Sequence, residues 1–243
     1  MLSKNEVKYI QSLCHKTQRD EAGLFIAEGP KLATELLHSG FQIKMVYATR
    51  HWIEQQPAAN FPLTEITTHE LERISQLQTP NQVLVVAHQK VSSHEPVLTH
   101  TITLVLDGIQ DPGNMGTIIR TADWFGIQQM VCSPECADVY NPKVVQATMG
   151  SIGRVSHWVK PLQTWLQQVK LPVYGALLNG ESIYTSNRPG RAVIIIGSEG
   201  RGITENLLPY ITHPITIPRI GKAESLNAAV ATGIILSHLV GHS

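Results

Sequence analysis

The chain has 243 residues, with 19 Lys and Arg against 19 Asp and Glu, so its formal net charge at pH 7 is zero. This length allows one large or two modest domains, and the charge balance argues against a strongly basic nucleic-acid coat. Three cysteines are too few for a disulfide framework, no metal-ligand spacing is found, and no apolar run reaches membrane-spanning length. We therefore expect a soluble cytoplasmic protein without a metal site, in which a local basic patch could still bind RNA.

Residues 1–89 predict a small α/β domain. Apolar residues recur at helical spacing between Ser3 and His15, where Val7, Ile10 and Leu13 share one face. Further on, the pattern predicts strands over 24–27, 43–47 and 82–87, a helix from Pro30 to Gly40, and a strand–helix pair over 63–77. Residues 90–100 are polar and have no hydrophobic period, so they predict a linker.

Residues 101–243 predict a second α/β domain. Continuous apolar runs over 102–106 and 192–196 suit central strands of a parallel sheet. Shorter strands are predicted over 130–132, 155–159 and 171–176, and helices over 115–125, 142–149 and 162–169. Strands that alternate with helices favour a mainly parallel sheet, in which ligands bind beyond the carboxyl ends of the strands.

The last helix is predicted to begin at Ser225, because a serine hydroxyl is a good N-cap. Leu226, Val230 and Ile234 share one face of this helix, but Leu236 and other apolar residues lie elsewhere around it. A helix that is apolar nearly all round is buried on more than one side. We expect one side to pack on the sheet and the other to meet a second subunit.

Three loops that follow strands of this sheet carry unusual polar residues. In the first, residues 107–120, Asn114 is predicted to be a helix N-cap, and Arg120 falls in an otherwise apolar stripe. An arginine in such a stripe points at an anion or forms a structural ion pair, here with Asp123 or Glu199. Both interpretations stay open at this point.

The second loop, residues 197–202, holds three glycines around Glu199, and the third leads through Glu224 and Ser225 to Asn227. Glycines let the backbone approach a ligand closely, but the spacing is neither the dinucleotide fingerprint nor a P-loop. Glu199 would repel phosphate and favour a neutral or cationic ligand. A tight turn and a capped helix are the plainer interpretations, yet the loops together bring Asn, Arg, Glu, Ser and a second Asn to one sheet.

The three loops resemble the motifs of the SpoU-type RNA 2′-O-ribose methyltransferases of the SPOUT superfamily. Residues 106–122 (LDGIQDPGNMGTIIRTA) resemble the first motif, 196–202 (IGSEGRG) the second, and 217–228 (IPRIGKAESLNA) the third. Ser198 departs from the family, in which Asn or Pro is frequent at this position. Residues 23–32 (GLFIAEGPKL) are similar to the substrate-binding domain that precedes the catalytic domain in many members.

The resemblance implies a fold and an assembly. It implies a catalytic domain whose parallel sheet contains a deep trefoil knot, preceded by a small α/β RNA-binding domain of the type found in ribosomal proteins L30e and L7Ae. It also implies a homodimer formed through the knotted domain. S-adenosylmethionine is expected to lie in the knot, held largely by backbone groups. The implied cofactor contacts are Leu177, Gly197, Ile217, Ser225 and Leu226.

The resemblance further implies methyl transfer from S-adenosylmethionine to a ribose 2′-hydroxyl. The implied catalytic residues are Asn114, Arg120, Glu199 and Asn227. We expect Arg120 to orient the hydroxyl, because a guanidinium holds its proton too tightly to be a simple base. The positions of the basic residues lead us to expect RNA contacts from Arg154, Lys4, Lys8 and Arg19. The alternatives are a structural role for Arg154 and an ordinary solvated face for the others.

The appended amino-terminal domain favours rRNA as the substrate. The alternatives are a tRNA ribose methyltransferase, a non-catalytic RNA-binding or antibiotic-binding member of the fold, and a small-molecule methyltransferase. The intact polar residues of the three motifs argue against loss of catalysis. The RNA-binding character of the first domain argues against a small-molecule substrate.

Overall fold

The computed structural model describes residues 1–56, 60–90, 94–98 and 102–240. Contacts divide the chain into two compact units. The first unit combines Met1–Val91 with Asp138–Gly153, and the second combines Ser92–Ala137 with Arg154–Ser243. Residues 91–93 and 99–100 of the predicted linker lie outside the described residues.

The described residues form helices and strands in alternation. The helices are α1 Lys4–Ser12, α2 Lys16–Ala22, α3 Pro30–His38, α4 Arg50–Ile53, α5 Thr68–Ile74, α6 Pro112–Trp124, α7 Pro142–Thr148, α8 Leu162–Leu166 and α9 Ala228–Leu239. The strands are β1 Leu24–Glu28, β2 Ile43–Ala48, β3 Leu63–Glu65, β4 Val83–His88, β5 Ile102–Asp107, β6 Gln129–Cys132, β7 Ser156–Val159, β8 Val173–Ser182, β9 Ala192–Gly197 and β10 His213–Thr216. Short 3-10 helices lie at Ser151–Gly153 and Glu205–Tyr210.

The first unit contains a four-stranded sheet in the order β1-β4-β2-β3. Strand β4 is antiparallel to both β1 and β2, whereas β3 is parallel to β2. The predicted strands of this unit are confirmed, and Val7, Ile10 and Leu13 are buried together as their spacing predicts. Helix α7 comes from the segment 138–153 and packs against β1.

Helix α2 was not predicted, because its sequence KTQRDEA contains no apolar stripe. Its buried residue is Arg19, which is only 1% exposed. The guanidinium pairs with Asp138 and donates to the backbone carbonyls of Leu13 and Cys14 at 3.0 and 2.8 Å. Arg19 therefore does not belong to an exposed basic face, which corrects the expectation that it contacts RNA there. Lys4 and Lys8 are exposed on α1.

The second unit contains a six-stranded sheet in the order β10-β8-β9-β5-β6-β7. All of its neighbouring pairs formed by the described residues are parallel. Strand β5 is fully buried and β9 is buried up to its last residue, as their continuous apolar runs predict. This confirms the predicted α/β class with a parallel sheet.

Two helices begin at other residues than the sequence suggested. Helix α6 begins at Pro112, and its N-cap is Asp111, whose carboxylate accepts the N–H of Asn114 at 2.7 Å. Proline at the first helical position is pre-set for the helix, so the N-cap lies one residue before it. Asn114, predicted to be the N-cap, is instead the third residue of the helix.

The N-cap of α9 is Asn227 and not Ser225. Asn227 Oδ1 accepts the N–H groups of Ala229 and Val230 at 3.0 and 3.2 Å. Ser225 lies outside the helix and is exposed. Both residue types are good N-caps, so side-chain preference alone could not decide between them.

Helix α9 packs on α6 and β9 through one face. The buried side chains of this face are Ala228, Ala229, Thr232, Ile235, Leu236 and Leu239. Val230 stays 51% exposed, so part of the apolar surface is uncovered within the single chain. Among the described helices, none combines the length and the apolar character needed to cross a bilayer.

The buried ion pair of Arg19 predicts a large effect on stability. Asp138→Ala removes the carboxylate and leaves a buried guanidinium uncompensated, so we expect the free energy of unfolding to fall by about 3 kcal/mol. Asp20→Ala is the matched control, because Asp20 pairs with Lys16 in an exposed position. Its expected effect is about 0.5 kcal/mol or less. Urea denaturation followed by circular dichroism measures both, and equal effects would contradict a structural role for the buried pair.

Candidate functional site

The first two loops leave adjacent strands at the same edge of the second unit's sheet. Asp107 ends β5 and Gly197 ends β9, and these two residues are paired in the parallel ladder. The loops that follow them therefore start side by side. The third loop leaves β10, which β8 separates from β9, and ends at the first turn of α9.

The three loops meet at one carboxylate oxygen, Glu199 Oε1. It accepts the side-chain amide of Asn114 at 2.7 Å, the side-chain amide of Asn227 at 2.6 Å and the backbone N–H of Ala228 at 3.1 Å. Asn227 Nδ2 also donates to Asn114 Oδ1 at 2.8 Å. The structure thus brings together three of the four predicted catalytic residues, one from each loop. We call Asn114, Glu199 and Asn227 the Glu199 cluster.

Local helix geometry aims the two asparagines at Glu199. Asn114 stands at the third position of α6, and its backbone N–H is held by the N-cap Asp111. Asn227 uses its side-chain oxygen to cap α9, so only its amide nitrogen is left to reach Glu199 and Asn114. Each asparagine is therefore oriented by the start of a helix.

Glu199 is held at the tip of a tight return of the backbone. Ser198 and Gly202 exchange backbone hydrogen bonds of 3.1 and 2.8 Å, and Gly202 has a φ of +67°. A Cβ atom on Gly197 would lie 2.1 Å from the carbonyl carbon of Gly202. Only glycine fits at position 197 in this conformation. Just beyond the return, the buried Asp107 accepts the N–H of Thr204 at 2.7 Å, which ties the second loop to the first.

A cleft of about 300 Å³ opens beside the Glu199 cluster. It is lined by Asp107, Gly108, Ile109, Gln110, Asp111, Asn114, Glu135, Ser198, Glu199, Gly200, Arg201, Thr204 and Ala228. Its ionisable side chains are four carboxylates and the guanidinium of Arg201. This balance disfavours a free anion and suits a neutral or cationic ligand.

Arg120 is not part of the cluster within one chain. It is exposed, and no hydrogen bond or ion pair among the described residues uses its guanidinium. Asp123, one of its suggested partners, instead pairs with Arg154 at 2.9 Å. Arg120 follows Asn114 by six residues, which places it about 120° around α6 and about 9 Å further along the axis. The two side chains therefore leave the helix in different directions.

The residues implied as cofactor contacts lie on three neighbouring strands and the third loop. Gly197 ends β9, Leu177 is half-buried in β8, and Ile217 directly follows β10. Ser225 and Leu226 lie in the exposed segment 218–227. None of the five lines the cleft beside the Glu199 cluster.

The backbone of the third loop has many unused donors. Within the described residues, no backbone N–H from Ile217 to Leu226 donates a hydrogen bond. These groups are free to bind a ligand through the main chain, since backbone polar groups seek partners when a site closes over them. The donor set fits a cofactor that is held by backbone groups, as the resemblance implies.

The sequence model of the SpoU rRNA Methylase family matches residues 101–237, which is more than half of the chain. The chain belongs to the SpoU methylase family. Residues 4–85 match a second family, described as the MRM3-like substrate binding domain. The resemblance that the three motifs suggested is confirmed.

Relatives of similar length match along almost the whole chain. The 23S rRNA (guanosine(2553)-2′-O)-methyltransferase RlmP of Bacillus subtilis is 31% identical over 245 residues, covering 98% of each chain. Among solved structures, a putative RNA methyltransferase of the TrmH family from Porphyromonas gingivalis is 38% identical with a TM-score of 0.88, covering 98% of each chain. An AdoMet-bound rRNA methyltransferase from Sinorhizobium meliloti is 29% identical with a TM-score of 0.86, covering 98% of this chain and 95% of its own.

Sequence reasoning missed the turn that supports the first SpoU motif. Ser133, just after β6, accepts the N–H of Gly108 through its hydroxyl at 3.0 Å. The pKa of the nearby Cys136 is lowered to about 7, chiefly because the Cys132 side chain hydrogen-bonds to its sulfur. Neither cysteine belongs to a motif that would have marked it in the sequence. Cys132 ends β6, which pairs with β5, and Cys136 follows four residues later, and this placement was the signal available.

The close backbone return predicts different outcomes for two neighbouring glycines. Gly197→Ala forces a methyl group into the carbonyl of Gly202, so we expect the free energy of unfolding to fall by about 1–3 kcal/mol. The side-chain amide NMR signals of Asn114 and Asn227 should also shift as the Glu199 cluster is disturbed. In Gly200→Ala, the added methyl group has no neighbour within 4 Å, and we expect a change within about 0.5 kcal/mol. A Gly197→Ala variant as stable as Gly200→Ala would contradict the described loop.

Proposed function

We propose that this protein transfers a methyl group from S-adenosylmethionine to a ribose 2′-hydroxyl of RNA, with rRNA as the substrate. The Glu199 cluster carries the proposal, because it joins the three loops that match the SpoU motifs at a single oxygen. The names of the matched relatives, which include 23S rRNA 2′-O-methyltransferases, support the reaction and the class of RNA. The match of residues 4–85 to a substrate-binding domain supports a large substrate.

The third loop and the ends of β8 and β9 are proposed to hold the cofactor. The proposed contacts are Leu177, Gly197, Ile217, Ser225 and Leu226. The unused backbone N–H donors of the third loop are proposed to form most of the hydrogen bonds to the cofactor. When bound, S-adenosylmethionine supplies a methyl group activated by a sulfonium. The excess of carboxylates in the nearby cleft suits that positive charge. We further propose that this part of the chain is threaded as the deep trefoil knot of the SPOUT fold.

In the proposed reaction, the Glu199 cluster positions the reacting groups and Arg120 activates the ribose 2′-hydroxyl. Hydrogen bonds to one carboxylate oxygen keep the three loops in register, and holding the reacting groups in place contributes much of the rate. Arg120 orients the 2′-hydroxyl and stabilises the negative charge that grows on its oxygen. A guanidinium stays protonated at physiological pH, so the hydroxyl proton passes to another acceptor, for which an RNA phosphate is suited.

We propose that a second copy of the chain covers the face that carries Arg120. Trp124 lies one turn beyond Arg120 on α6 and is 84% exposed, and Val230 on the adjoining helix α9 is also exposed. Large uncovered apolar groups on adjoining helices are typical of an interface. Because Arg120 leaves α6 about 120° away from Asn114, it is placed to serve the cleft of the partner.

RNA is proposed to contact both units. Lys4 and Lys8 give the matched substrate-binding domain exposed positive charge, and Arg154 adds a partly exposed guanidinium in the second unit. Phosphate contacts of this kind make RNA binding weaken as salt increases. Arg19 is not among the proposed RNA contacts, because its side chain is buried.

Replacement of Arg120 tests the proposed chemistry. Arg120→Ala should lower methyl transfer to unmodified 23S rRNA by at least about 10²-fold, since it removes the group that stabilises the oxyanion. Cofactor affinity, measured by calorimetry, should be unchanged. Arg188→Ala removes an exposed arginine outside the site and should retain full activity. Undiminished transfer by Arg120→Ala would overturn the assigned role, and transfer to tRNA in place of rRNA would replace the substrate class.

Mixed dimers test whether Arg120 acts across the interface. Arg120→Ala and Glu199→Ala are each expected to be inactive. When the two variants are co-expressed, half of the dimers are mixed, and one of the two sites in each mixed dimer is intact if Arg120 comes from the partner. About a quarter of wild-type activity should then return for such a two-fold assembly. Absence of any recovery, with mixed dimers demonstrated by mass spectrometry, would place Arg120 in the cleft of its own chain.

A further inference from the structure

A second cavity of about 300 Å³ lies within the first unit, beside β1, the turn after α5 and helix α7. Its lining combines apolar and polar side chains from these elements. The lining residues are Ile26, Glu28, Gln76, Leu77, Pro142, Lys143, Gln146 and Ala147. The proposed methyl transfer uses none of them.

Glu28 is the unusual member of this set, because it is a carboxylate only 5% exposed. One oxygen accepts the backbone N–H of Gln76 at 2.9 Å, and the other accepts the hydroxyl of Ser75. These bonds fix the plane of the carboxylate. Each carboxylate oxygen can accept two hydrogen bonds, so one acceptor position on each oxygen is left.

Because Glu28 is buried, further hydrogen-bond donors would stabilise its carboxylate. The pKa of Glu28 is raised because burial disfavours its charged form, although the bonds from Ser75 and Gln76 oppose the shift. A buried charge is stabilised by each additional hydrogen bond that it receives. A ligand that directs N–H groups at Glu28 would therefore be bound more tightly here than one that directs a carbonyl oxygen at it.

Helix α7 supplies two further polar groups. Within the described residues, neither the Gln146 amide nor the Lys143 ammonium makes a side-chain hydrogen bond or ion pair. Ile26, Leu77 and Ala147 provide apolar surface between these groups. Apolar walls with a few convergent polar groups are typical of a small-molecule site.

The polar groups that line the cavity favour an aromatic base with two adjacent N–H donors. The free acceptor positions of Glu28 match two adjacent N–H donors that point the same way. Of the four RNA bases, guanine alone presents two adjacent donors on its base-pairing edge, its N1–H and 2-amino group, with the carbonyl O6 at the far end of that edge. Uracil places carbonyls on both sides of its single N–H, and adenine and cytosine place an acceptor nitrogen beside their amino group. Proteins read unpaired RNA bases through this edge.

We propose that this cavity binds an unpaired guanine of the substrate RNA, with Glu28 as the acceptor for its N1–H and 2-amino group. The inference rests on the proposed action on RNA. Four of the lining residues, including Glu28, fall within the region that matches the MRM3-like substrate binding domain. Lys143 is placed to meet a phosphate of the same nucleotide, which adds a salt-dependent contact. The competing interpretation is that Glu28 only braces the turn at Ser75 and Gln76.

The full-length protein and mononucleotides test the site directly. Guanosine 5′-monophosphate, titrated to millimolar concentration, should shift the NMR signals of the Gln146 side-chain amide and the Leu77 backbone amide. Inosine 5′-monophosphate lacks the 2-amino group and should bind about tenfold more weakly, as expected for one lost hydrogen bond to a charged group. Equal affinity for the two nucleotides, no shifts, or shifts confined to the cleft beside Glu199 would overturn the proposal.

Two variants separate binding from folding. Glu28→Gln keeps an acceptor for Gln76 but replaces one carboxylate oxygen with a donor, so affinity for guanosine 5′-monophosphate should fall at least about tenfold. Ala147→Leu fills the cavity without altering Glu28 and should abolish the shifts while leaving the circular dichroism spectrum unchanged. Glu72→Gln is the matched control, because it makes the same chemical change at an exposed position of α5. Undiminished nucleotide binding by folded Ala147→Leu would exclude this cavity.

Methyl transfer to rRNA, measured on the same wild-type preparation, keeps the two proposals apart. Methyl transfer without guanosine 5′-monophosphate binding would reject the guanine site and leave the proposed function standing. Nucleotide binding at Glu28 without methyl transfer would reject the proposed function. The guanine site would then stand as a nucleotide-binding site without its proposed link to methylation.

Discussion

The site depends on one oxygen atom that accepts hydrogen bonds from three separate parts of the chain. Glu199 Oε1 accepts hydrogen bonds from Asn114 in the first turn of α6, and from Asn227 and Ala228 at the start of α9. Two further hydrogen bonds join the loops in pairs, from Asn227 to Asn114 Oδ1 and from Thr204 to Asp107, whereas Glu199 Oε1 joins all three loops. The Asp107–Gly197 pairing in the sheet and the close return at Gly197 bring Glu199 to the place where the donors converge.

The sheet and the convergence of its loops could be predicted from sequence, whereas the helix starts could not. Buried parallel strands leave continuous apolar runs, and 102–106 and 192–196 show them plainly. A helix can start after any of several residues that are good N-caps. Here the N-caps are Asp111 and Asn227 and not Asn114 and Ser225. Those two outcomes shape the site, since they leave the amide groups of Asn114 and Asn227 directed at Glu199.

The pattern of charges along the chain predicts exposed and functional residues less well than the pattern of apolar residues predicts the sheet. Arg19 looked like part of a basic surface beside Lys4 and Lys8, but it is buried against Asp138, which is 119 residues further along the chain. Nothing local in the sequence distinguishes a solvated arginine from one with a distant buried partner. The same limit applies to Arg120, whose proposed role depends on a second copy of the chain covering an exposed face of α6.

The proposed cofactor contacts involve the main chain, and such contacts are the hardest to identify from side chains. The backbone donors between Ile217 and Leu226 have no partners among the described residues, and the side chains of Ser225 and Leu226 are exposed. A loop that binds through its main chain recognises a ligand by the conformation of the loop backbone. The side chains of such a loop therefore say little about the chemistry of the ligand. Its two ends are anchored, at β10 on one side and at Asn227 on the other. Because Asn227 also bonds to Glu199, a ligand that orders this loop would act on the Glu199 cluster through that residue.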